Sequence, residues 1–322
     1  AVAQAEKSAG IKIKKAFISI GGVGLEEVHS KGGAVVARAD SEITDLDIEK
    51  AIKDSEKRVA QKIANRKILH EIPLQYKIDG QKVLGKPQGM RGSKIELDVL
   101  FVTCLEQHLN DLISSVEDAG IVVEDVMASP LAGSFVTLSR AQKVAGSVLA
   151  NIGAETVSIV VFENNMPVSL KVFSIGGTDI TNDIALGLKI PLDQAERVKT
   201  GALSGAEFPQ KKLDEIISAR LSDIFELIES HLKKIGKNGL LPAGIIITGG
   251  GSGIATIEDL ARAALKLPSK TSSGFVGDNV LPAGRQGSVV VQGNVRDSSW
   301  AVAYGLCIWG LSTEEDGVGV KL

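Results

Sequence analysis

The sequence predicts an α/β protein, and three observations support this fold class. Short apolar runs typical of strands alternate along the chain with longer segments in which apolar residues recur at helical spacing. The 322 residues include 35 glycines, whereas aromatic residues make up only 4% of the chain, which favours a fold with many tight turns. A chain of this length buries about three-quarters of its unfolded surface, so it can form about two domains without disulfides or metal ions.

Composition excludes several classes of function. The 36 lysines and arginines are balanced by 39 aspartates and glutamates, so the chain lacks the basic excess of a nucleic-acid-binding protein. Cys104 and Cys307 show no CxxC spacing, which excludes a disulfide framework and a cysteine zinc site and suits a reducing cytosol. The four histidines are scattered, and we expect no metal site. No apolar run reaches the roughly 18 residues of a membrane span, and the first residues show no targeting pattern.

The first half of the chain is predicted to form a strand followed by a mixed module. The predicted elements are a strand over 14–20, a helix over 44–63, an extended segment over 67–78, a strand over 95–101 and a helix over 105–116. Thr44 and Asp47 form a capping pair for the first helix, Pro73 favours a sheet edge, and Gly120 ends the second helix. Residues 24–127 are therefore predicted to be a strand–helix–strand–strand–helix–strand module.

A second group of elements follows the Ser129-Pro130 junction. We predict a short helix over 131–140, strands over 148–151, 156–162 and 167–174, a helix opening near Thr181, a longer helix over 213–235, a strand over 243–248, a helix ending at 265, a loop region over 267–291 and a closing apolar helix over 300–311. In the longer helix the residues expected to face inward are Ile216, Ile217, Ile224, Leu227 and Ile228.

Two glycine-rich turns that follow strands are the candidate functional motifs. Their residues are Asn151, Gly153, Ala154 and Thr156 in a hairpin, and Gly249, Gly250, Gly251 and Ser252 about a hundred residues later. Turns of small residues can direct backbone N–H groups at phosphate oxygens, and glycines at the start of a helix let a purine lie against the backbone. The chain contains no GxxxxGK[ST] segment, and its 249–253 run lacks GxGxxG spacing, which argues against a P-loop or Rossmann site. Each turn alone is more often structural, but the two in this order predict a nucleotide site.

These segments resemble motifs of the actin-like ATPases, and within them of the FtsA family of bacterial cell-division proteins. The matching stretches are 148–162 for the second phosphate motif, 174–185 for the segment after it, 195–201 for the helix that reaches ribose and adenine, and 245–252 for the adenosine motif. Residues 66–80 and 87–92 are similar to the family's extra subdomain, called 1C or SHS2. The resemblance covers essentially all of residues 4–312.

The resemblance implies an actin-like (ribonuclease H-like) fold, with two α/β lobes around a nucleotide cleft and an FtsA-type 1C subdomain. It implies ATP and Mg²⁺ as cofactors, with at most weak ATPase activity, and it leaves the catalytic residues unknown. The nucleotide-binding residues that it implies are Gly176, Gly177, Glu196 and Lys199 in addition to the eight motif residues above. The implied boundaries are 1–23 for a remnant of subdomain 1A, 24–127 for 1C, 128–147 for a return to 1A, 148–181 for 2A, 182–242 for 2B, 243–285 for 2A, and 286–322 for a return to 1A and the tail.

Three features depart from the family pattern. The family begins with an Asp-x-Gly-Thr/Ser phosphate motif, and no segment before Lys14 matches it, so we expect this chain to be N-terminally truncated. Asn151 stands where the family has an acidic residue, and a neutral amide can hydrogen-bond but does not help to neutralise Mg²⁺. Residues 312–322 are short and acidic, so we also expect the family's membrane-binding amphipathic helix to be missing from the end of the chain.

The resemblance also implies partners. Arg220, with Ile217 and Asp223 on the same helix, lies where the family receives the acidic C-terminal peptide of the tubulin-like FtsZ. An arginine fork beside an apolar groove suits such a peptide, whereas the structural alternative is an exposed arginine paired with Asp223 or Glu226. The implied function is to tether FtsZ to the inner face of the cell membrane at midcell, to self-associate into filaments through 1C and 2B, and to recruit later divisome membrane proteins.

Two other functions stay open from the sequence. PilM, a related platform protein of pilus assembly, shares the architecture but would bind an N-terminal peptide of a membrane partner. A phosphotransferase or ATPase of the wider actin-like superfamily would need an acidic base in the cleft, and Asn151 weighs against it.

Overall fold

The computed structural model describes residues 1–202, 208–272 and 297–316, and contacts between Cα atoms divide the chain into two units. Of the described residues, the first unit comprises Ala1–Ile20 and Gly24–Ala128, and the second comprises Gly21–Val23 and those from Ser129 to Asp316. The elements of the first unit are α1 (Val2–Ala9), β1 (Lys15–Ile20), β2 (Glu26–Val35), α2 (Asp45–Val59), β3 (Arg66–Ile78), β4 (Gln81–Val83), β5 (Lys94–Leu105), α3 (Glu106–Glu117) and β6 (Val122–Ala128).

Two sheets form the first unit. β1 and β6 pair in parallel, while the other four strands form an antiparallel sheet in the order β2-β5-β3-β4. The predicted module is thus confirmed, with the addition of β4, whose three residues are too few to show a periodic pattern. The edge prediction for Pro73 holds locally, because β4 pairs with β3 only at residues 76–78.

Helix α2 begins as its capping pair predicts and lies directly on the sheet. The hydroxyl of Thr44 donates to the carboxylate of Asp47 at 2.7 Å, and the Asp47 N–H donates back to the Thr44 carbonyl at 3.1 Å. A Cβ at Gly32 of β2 would lie 2.0 Å from the Ala51 carbonyl oxygen, so only glycine lets the helix approach this closely. The helix ends at Val59 rather than near residue 63.

The alternation predicted for β5 describes its first half. Ile95, Leu97 and Val99 are at most 2% exposed and form the core beneath α2. From Leu100 onward the opposite face is buried as well, because α3 contacts β5 and covers part of that side. A strand that is covered on both faces loses its period-two pattern, so β5 runs further than the alternation indicates.

The elements of the second unit are α4 (Ser129–Thr137), α5 (Arg140–Ala145), β7 (Ser147–Ile152), β8 (Val157–Glu163), β9 (Met166–Phe173), α6 (Gly177–Leu188), α7 (Leu192–Lys199), α8 (Gln210–Lys234), β10 (Gly244–Thr248), α9 (Ile257–Leu265), β11 (Ser269–Thr271) and α10 (Ala301–Asp316). They surround a five-stranded sheet in the order β11-β10-β7-β8-β9. β7, β8 and β9 are antiparallel, whereas β10 runs parallel to both β7 and β11. The hydrophobic core lies between this sheet and helices α6, α8 and α9.

The second unit departs from the sequence prediction at three places. The predicted helix over 131–140 is two helices, because Ser139 caps a new one by accepting from the Gln142 N–H at 3.2 Å. α6 begins at Gly177 rather than near Thr181, and Leu227 is 41% exposed rather than inward. Most of the predicted loop over 267–291 lies outside the described residues. Among the described helices, none has the length and apolar character to cross a membrane.

Candidate nucleotide site

The hairpin turn between β7 and β8 is bonded through its backbone to the first turn of α6. Within the hairpin, the Gly153 N–H donates to the Thr156 carbonyl at 2.9 Å. From the helix, the Gly177 N–H donates to the Gly153 carbonyl at 2.9 Å and the Thr178 N–H donates to the Ala154 carbonyl at 2.8 Å. The two segments that the sequence singled out separately therefore form one piece of structure.

Gly176 allows this close approach. A Cβ at this position would lie 2.3 Å from the Ala154 carbonyl oxygen, so any side chain would force the helix away from the hairpin. The Gly176 N–H donates to the Asp179 carboxylate at 2.8 Å, which caps the start of α6. Among the described residues, no acceptor is found for the N–H groups of Ala154 and Glu155 at the tip of the turn. Free N–H groups beside a helix N-terminus favour an anion.

Helix α7 contributes a compact polar cluster next to α6. The ammonium group of Lys199 donates to the Gly177 carbonyl at 3.0 Å and to the Thr181 hydroxyl at 2.8 Å, and it lies 2.6 Å from the Glu196 carboxylate. Partial burial acts to raise the pKa of Glu196, but hydrogen bonds from Lys199 and Thr181 outweigh it and hold that pKa below its usual value. Glu196 is therefore ionised at neutral pH and can accept hydrogen bonds from hydroxyl groups.

The glycine-rich turn after β10 packs against the last residues of β7. Gly249 has φ +87°, and a Cβ there would lie 2.3 Å from Asn151 Oδ1, so this position requires glycine for both reasons. At Gly251 a Cβ would lie 2.5 Å from the Ile152 side chain, whereas at Gly250 it would meet nothing within 4 Å. Gly249 and Gly251 therefore allow the turn to pack closely against the end of β7, whereas Gly250 has no protein atom close to its Cβ position.

The hydroxyl groups of Ser252 and Ser298 stabilise this turn through hydrogen bonds. The hydroxyl of Ser252 donates to the Gly249 carbonyl at 2.7 Å and lies 2.7 Å from the Ser298 hydroxyl. Ser298 in turn donates to the same Gly249 carbonyl at 3.2 Å. Ser252 was predicted to contact nucleotide directly, but its hydroxyl is committed to the turn, so we assign it a supporting position.

A cavity of about 380 Å³ opens between the two turns, within the size range of small-molecule sites. It is lined by Gly153, Ala154, Gly177, Ile180, Glu196, Lys199, Thr200, Gly250, Gly251, Gly253 and Ile254. A second cavity of about 400 Å³ shares Lys199, Thr200, Gly253 and Ile254 with it. Of the twelve predicted nucleotide residues, seven line the first cavity. The others lie outside its lining: Asn151, Thr156, Gly176, Gly249 and Ser252.

Sequence reasoning missed three residues that shape this site. Thr181 bonds Lys199 from one helical turn into α6, Ile254 supplies an apolar wall, and Ser298 supports the glycine-rich turn from 46 residues beyond Ser252. Thr181 lies within the recognised segment 174–185, and Ile254 lies two residues after the recognised segment 245–252, so both are local to those motifs. No local signal identifies Ser298, because its role depends on a contact distant in sequence.

The residues predicted to receive a partner peptide are placed differently. Ile217 is 9% exposed and lies in the core, where it also lines the second cavity rather than a surface groove. The guanidinium of Arg220 is bound in a fork by the Asp183 carboxylate at 2.7 and 3.0 Å, with Asp223 at 3.5 Å. The arginine is therefore partly buried rather than exposed, and its fork is made by Asp183, while the ion pair with Asp223 that the structural alternative predicts is present as a longer contact. The prediction that this helix receives a partner peptide stays a prediction.

The described residues offer no metal centre of their own. In residues 1–202, 208–272 and 297–316, no group of three or more His, Cys, Asp or Glu side chains could hold a metal ion. Asn151 stands at the position where the family pattern has an acidic residue, but its side chain is a neutral amide whose Oδ1 lies beside Gly249. The donor set does not fit a protein-bound Mg²⁺, and we derive no metal-assisted step.

Comparison with known proteins identifies the family. A family profile described as "SHS2 domain inserted in FTSA" matches residues 26–103, and one described as "Cell division protein FtsA" matches residues 148–305. The cell division protein FtsA of Neisseria meningitidis serogroup B is 30% identical over 295 residues, covering 85% of this chain and 70% of that protein. The chain belongs to the FtsA family. FtsA of Pseudomonas aeruginosa is 29% identical over 343 residues, covering 100% of this chain and 79% of that protein.

Solved structures confirm the actin-like fold of this FtsA-family chain. A structure of the PilM–PilN type IV pilus biogenesis complex aligns with TM-score 0.66 and 17% identity over 96% of this chain and 84% of that chain. MreB 5 of Spiroplasma citri bound to AMPPNP aligns with TM-score 0.51 and 16% identity over 66% of each chain. Identities this low show the fold alone, so family membership rests on the sequence matches to FtsA.

Proposed function

We propose that this FtsA-family chain is an actin-like scaffold of bacterial cell division that binds ATP in the cavity between its two glycine-rich turns. The observation that carries the proposal is the joined hairpin and α6 N-terminus, because Ala154 of the hairpin and Gly177 of the helix line one cavity together with Lys199. This arrangement suits a polyphosphate, because backbone donors, a helix N-terminus and an ammonium group all favour negative charge there.

The remaining lining residues suit the nucleoside. Ionised Glu196 is able to accept hydrogen bonds from ribose hydroxyls, and the open face of Gly250 with the apolar side chain of Ile254 provides a surface for a planar base. Bound ATP would supply a charged ligand that ties these segments together. We propose that it acts as a structural ligand and switch, with slow hydrolysis at most, and that any Mg²⁺ enters with the phosphates.

Membership in the family leads to a proposal for the cellular role. We propose that the chain tethers FtsZ through its C-terminal peptide, self-associates into filaments, and recruits later divisome proteins at the inner face of the cell membrane at midcell. The subdomain boundaries given above are part of this proposal, and the SHS2 match at 26–103 falls within the proposed 1C segment at 24–127. The membrane anchor itself is not assigned to any described residue.

Substitution of Gly250 tests the nucleotide site. The purified chain should bind a fluorescent ATP analogue, Gly250→Ala should weaken binding, and Gly250→Val should weaken it by at least tenfold. The reason is that a side chain at this position meets no protein atom within 4 Å and projects into the space proposed for the base. Circular dichroism and thermal unfolding should be unchanged in both variants. Equal affinity in all three proteins would place the nucleotide elsewhere.

Tethering is tested with the partner peptide. A fluorescently labelled peptide from the C-terminus of FtsZ should show a saturable rise in anisotropy when the purified chain is added. A peptide of the same composition in scrambled order serves as the control, because charge attraction alone would retain the scrambled peptide. If the folded, ATP-binding chain ignored the FtsZ peptide, the tethering role would be refuted while the nucleotide site would stand.

A further inference from the structure

Arg220 forms a forked ion pair that joins α8 to α6. Its Nε and one terminal nitrogen donate to the two carboxylate oxygens of Asp183 at 2.7 and 3.0 Å. The two side chains are 28% and 29% exposed, so water screens the pair less than it would a surface pair. A bidentate arginine–carboxylate pair is stronger and more directional than a single contact. The contact therefore holds one helix against the other in a defined position.

Asp183 has a second acidic residue one turn before it on the same helix. Asp179 lies four residues earlier, and like charges at this spacing destabilise a helix. Asp179 also caps the Gly176 N–H, which places its charge at the turn where the cavity begins. The pKa of Arg220 lies above its ordinary value, chiefly through the hydrogen bonds to Asp183, with partial burial opposing, and then through the charges of Asp183, Asp223 and Asp179. The guanidinium thus binds Asp183 directly and is near enough to Asp179 to interact with its charge.

The carboxylates of Asp179 and Asp183 lie on the helix whose first residue lines the cavity. Gly177 lines the cavity, and Asp179 and Asp183 follow it by two and six residues, which is about 3 and 9 Å along a helix axis. The first distance is well within the Debye length of about 8 Å at physiological salt, and the second is close to it. Without a nearby cation, two carboxylates would repel a polyphosphate bound at the start of α6.

The rest of α6 is anchored at its two ends. Its first turn is bonded to the hairpin, and its last turn packs on α8, where a Cβ at Gly187 would lie 2.5 Å from Ile216 and Lys212 donates to the Gly187 carbonyl. The Arg220–Asp183 pair acts between these anchors. It is thus a contact that fixes the helix and also alters the charge near its N-terminus.

We propose that Arg220 is a positioning residue for polyphosphate binding: it holds α6 on α8 through Asp183 and offsets the negative charge of the helix whose N-terminus receives the phosphates. This inference rests on the proposed ATP site. It also gives Arg220 a role inside the protein in place of the predicted role as a receptor for an acidic peptide. A peptide carboxylate would have to displace Asp183 and approach Asp179 and Asp223 as well.

The test compares ligands that differ only in phosphate number. Affinities for ATP, ADP and adenosine are measured by calorimetry for the wild-type chain and for Arg220→Ala, Arg220→Lys and the double variant Arg220→Ala/Asp183→Asn. We expect Arg220→Ala to weaken ATP binding by about tenfold, ADP binding by less, and adenosine binding by less than twofold, because the repulsion grows with ligand charge. Arg220→Lys should fall between, since it keeps the charge without the fork. The double variant should regain part of the ATP affinity.

Arg262 provides the matched control. It is a helical arginine of the same unit that pairs with Asp259 at 2.7 Å, and both side chains of this pair are more than half exposed. Arg262→Ala removes the same charge from the chain, and ATP binding should stay as in the wild type.

Four results would overturn the inference. An equal loss for all three ligands would mean that Arg220 only supports the fold, and an unchanged ATP affinity would mean that it does not act on the site. Loss of FtsZ-peptide binding with normal ATP binding would restore the receptor role. If the wild-type chain bound none of the three ligands, the proposed function would fail and this inference with it. The first three results leave the proposed function intact.

Discussion

Replacing Gly176 with valine should abolish ATP binding. A Cβ at this position would lie 2.3 Å from the Ala154 carbonyl oxygen and 2.9 Å from the Glu155 carbonyl carbon, and both are backbone atoms that cannot turn aside. Relief of the clash requires α6 to leave the hairpin, which breaks the bonds from Gly177 and Thr178. We expect a loss of about 2–4 kcal/mol in the stability of the second unit and at least a hundredfold loss of ATP affinity.

Calorimetric titration with ATP and urea unfolding together measure this effect. Gly120→Ala is the control, because a Cβ there meets nothing within 4 Å, although Gly120 has a φ of +81°. That variant should lose about 1 kcal/mol to backbone strain and keep its ATP affinity. Normal ATP binding by a folded Gly176→Val chain would show that the phosphates do not lie at the start of α6.

Acidification should destabilise the first unit through His70. This residue is 6% exposed, its Nε2 accepts a hydrogen bond from the Ala128 N–H at 3.1 Å, and burial lowers its pKa to about 4. In the unfolded chain this histidine binds a proton near pH 6.5, whereas in the folded chain it stays neutral until the pH falls to about 4. Stability is therefore fully present above pH 6.5 and is lost as the pH falls towards 4, by about 1.4 kcal/mol per pH unit.

The comparison of wild type with His70→Gln isolates this contribution from that of the carboxylates. A glutamine oxygen can accept the same N–H but does not titrate, so urea midpoints of the variant should depend less on pH between 6.5 and 4. His29→Gln is the control, since it removes a histidine whose side chain is 51% exposed rather than one in the core. Parallel pH profiles for wild type and His70→Gln would contradict the assignment of His70 as a buried neutral base.

The local parts of the candidate site were predictable from sequence. The hairpin at residues 153–156 and the turn at 249–251 depend on small residues that are adjacent in the chain, and turn chemistry is set over a few residues. The start of α6 was misplaced towards Thr181, because two glycines read as a loop unless something packs against them. In the fold, Gly177 bonds to the hairpin, and that contact between distant segments allows the helix to begin there.

The sequence by itself determined the family, the order of the elements and the glycines on which the cavity depends, because those features follow from periodicity, turn residues and motif spacing. Tertiary structure alone decided which side chains meet. Arg220 has Asp223 on its own helix at 3.5 Å, yet its forked pair is with Asp183, which is 37 residues away. Packing of α6 on α8 brings two guanidinium nitrogens opposite two carboxylate oxygens, and a forked pair is stronger than one contact to a flexible neighbour. Ile217 is the opposite case, since the helical spacing of apolar residues already placed it on the buried face of α8, where the structure has it.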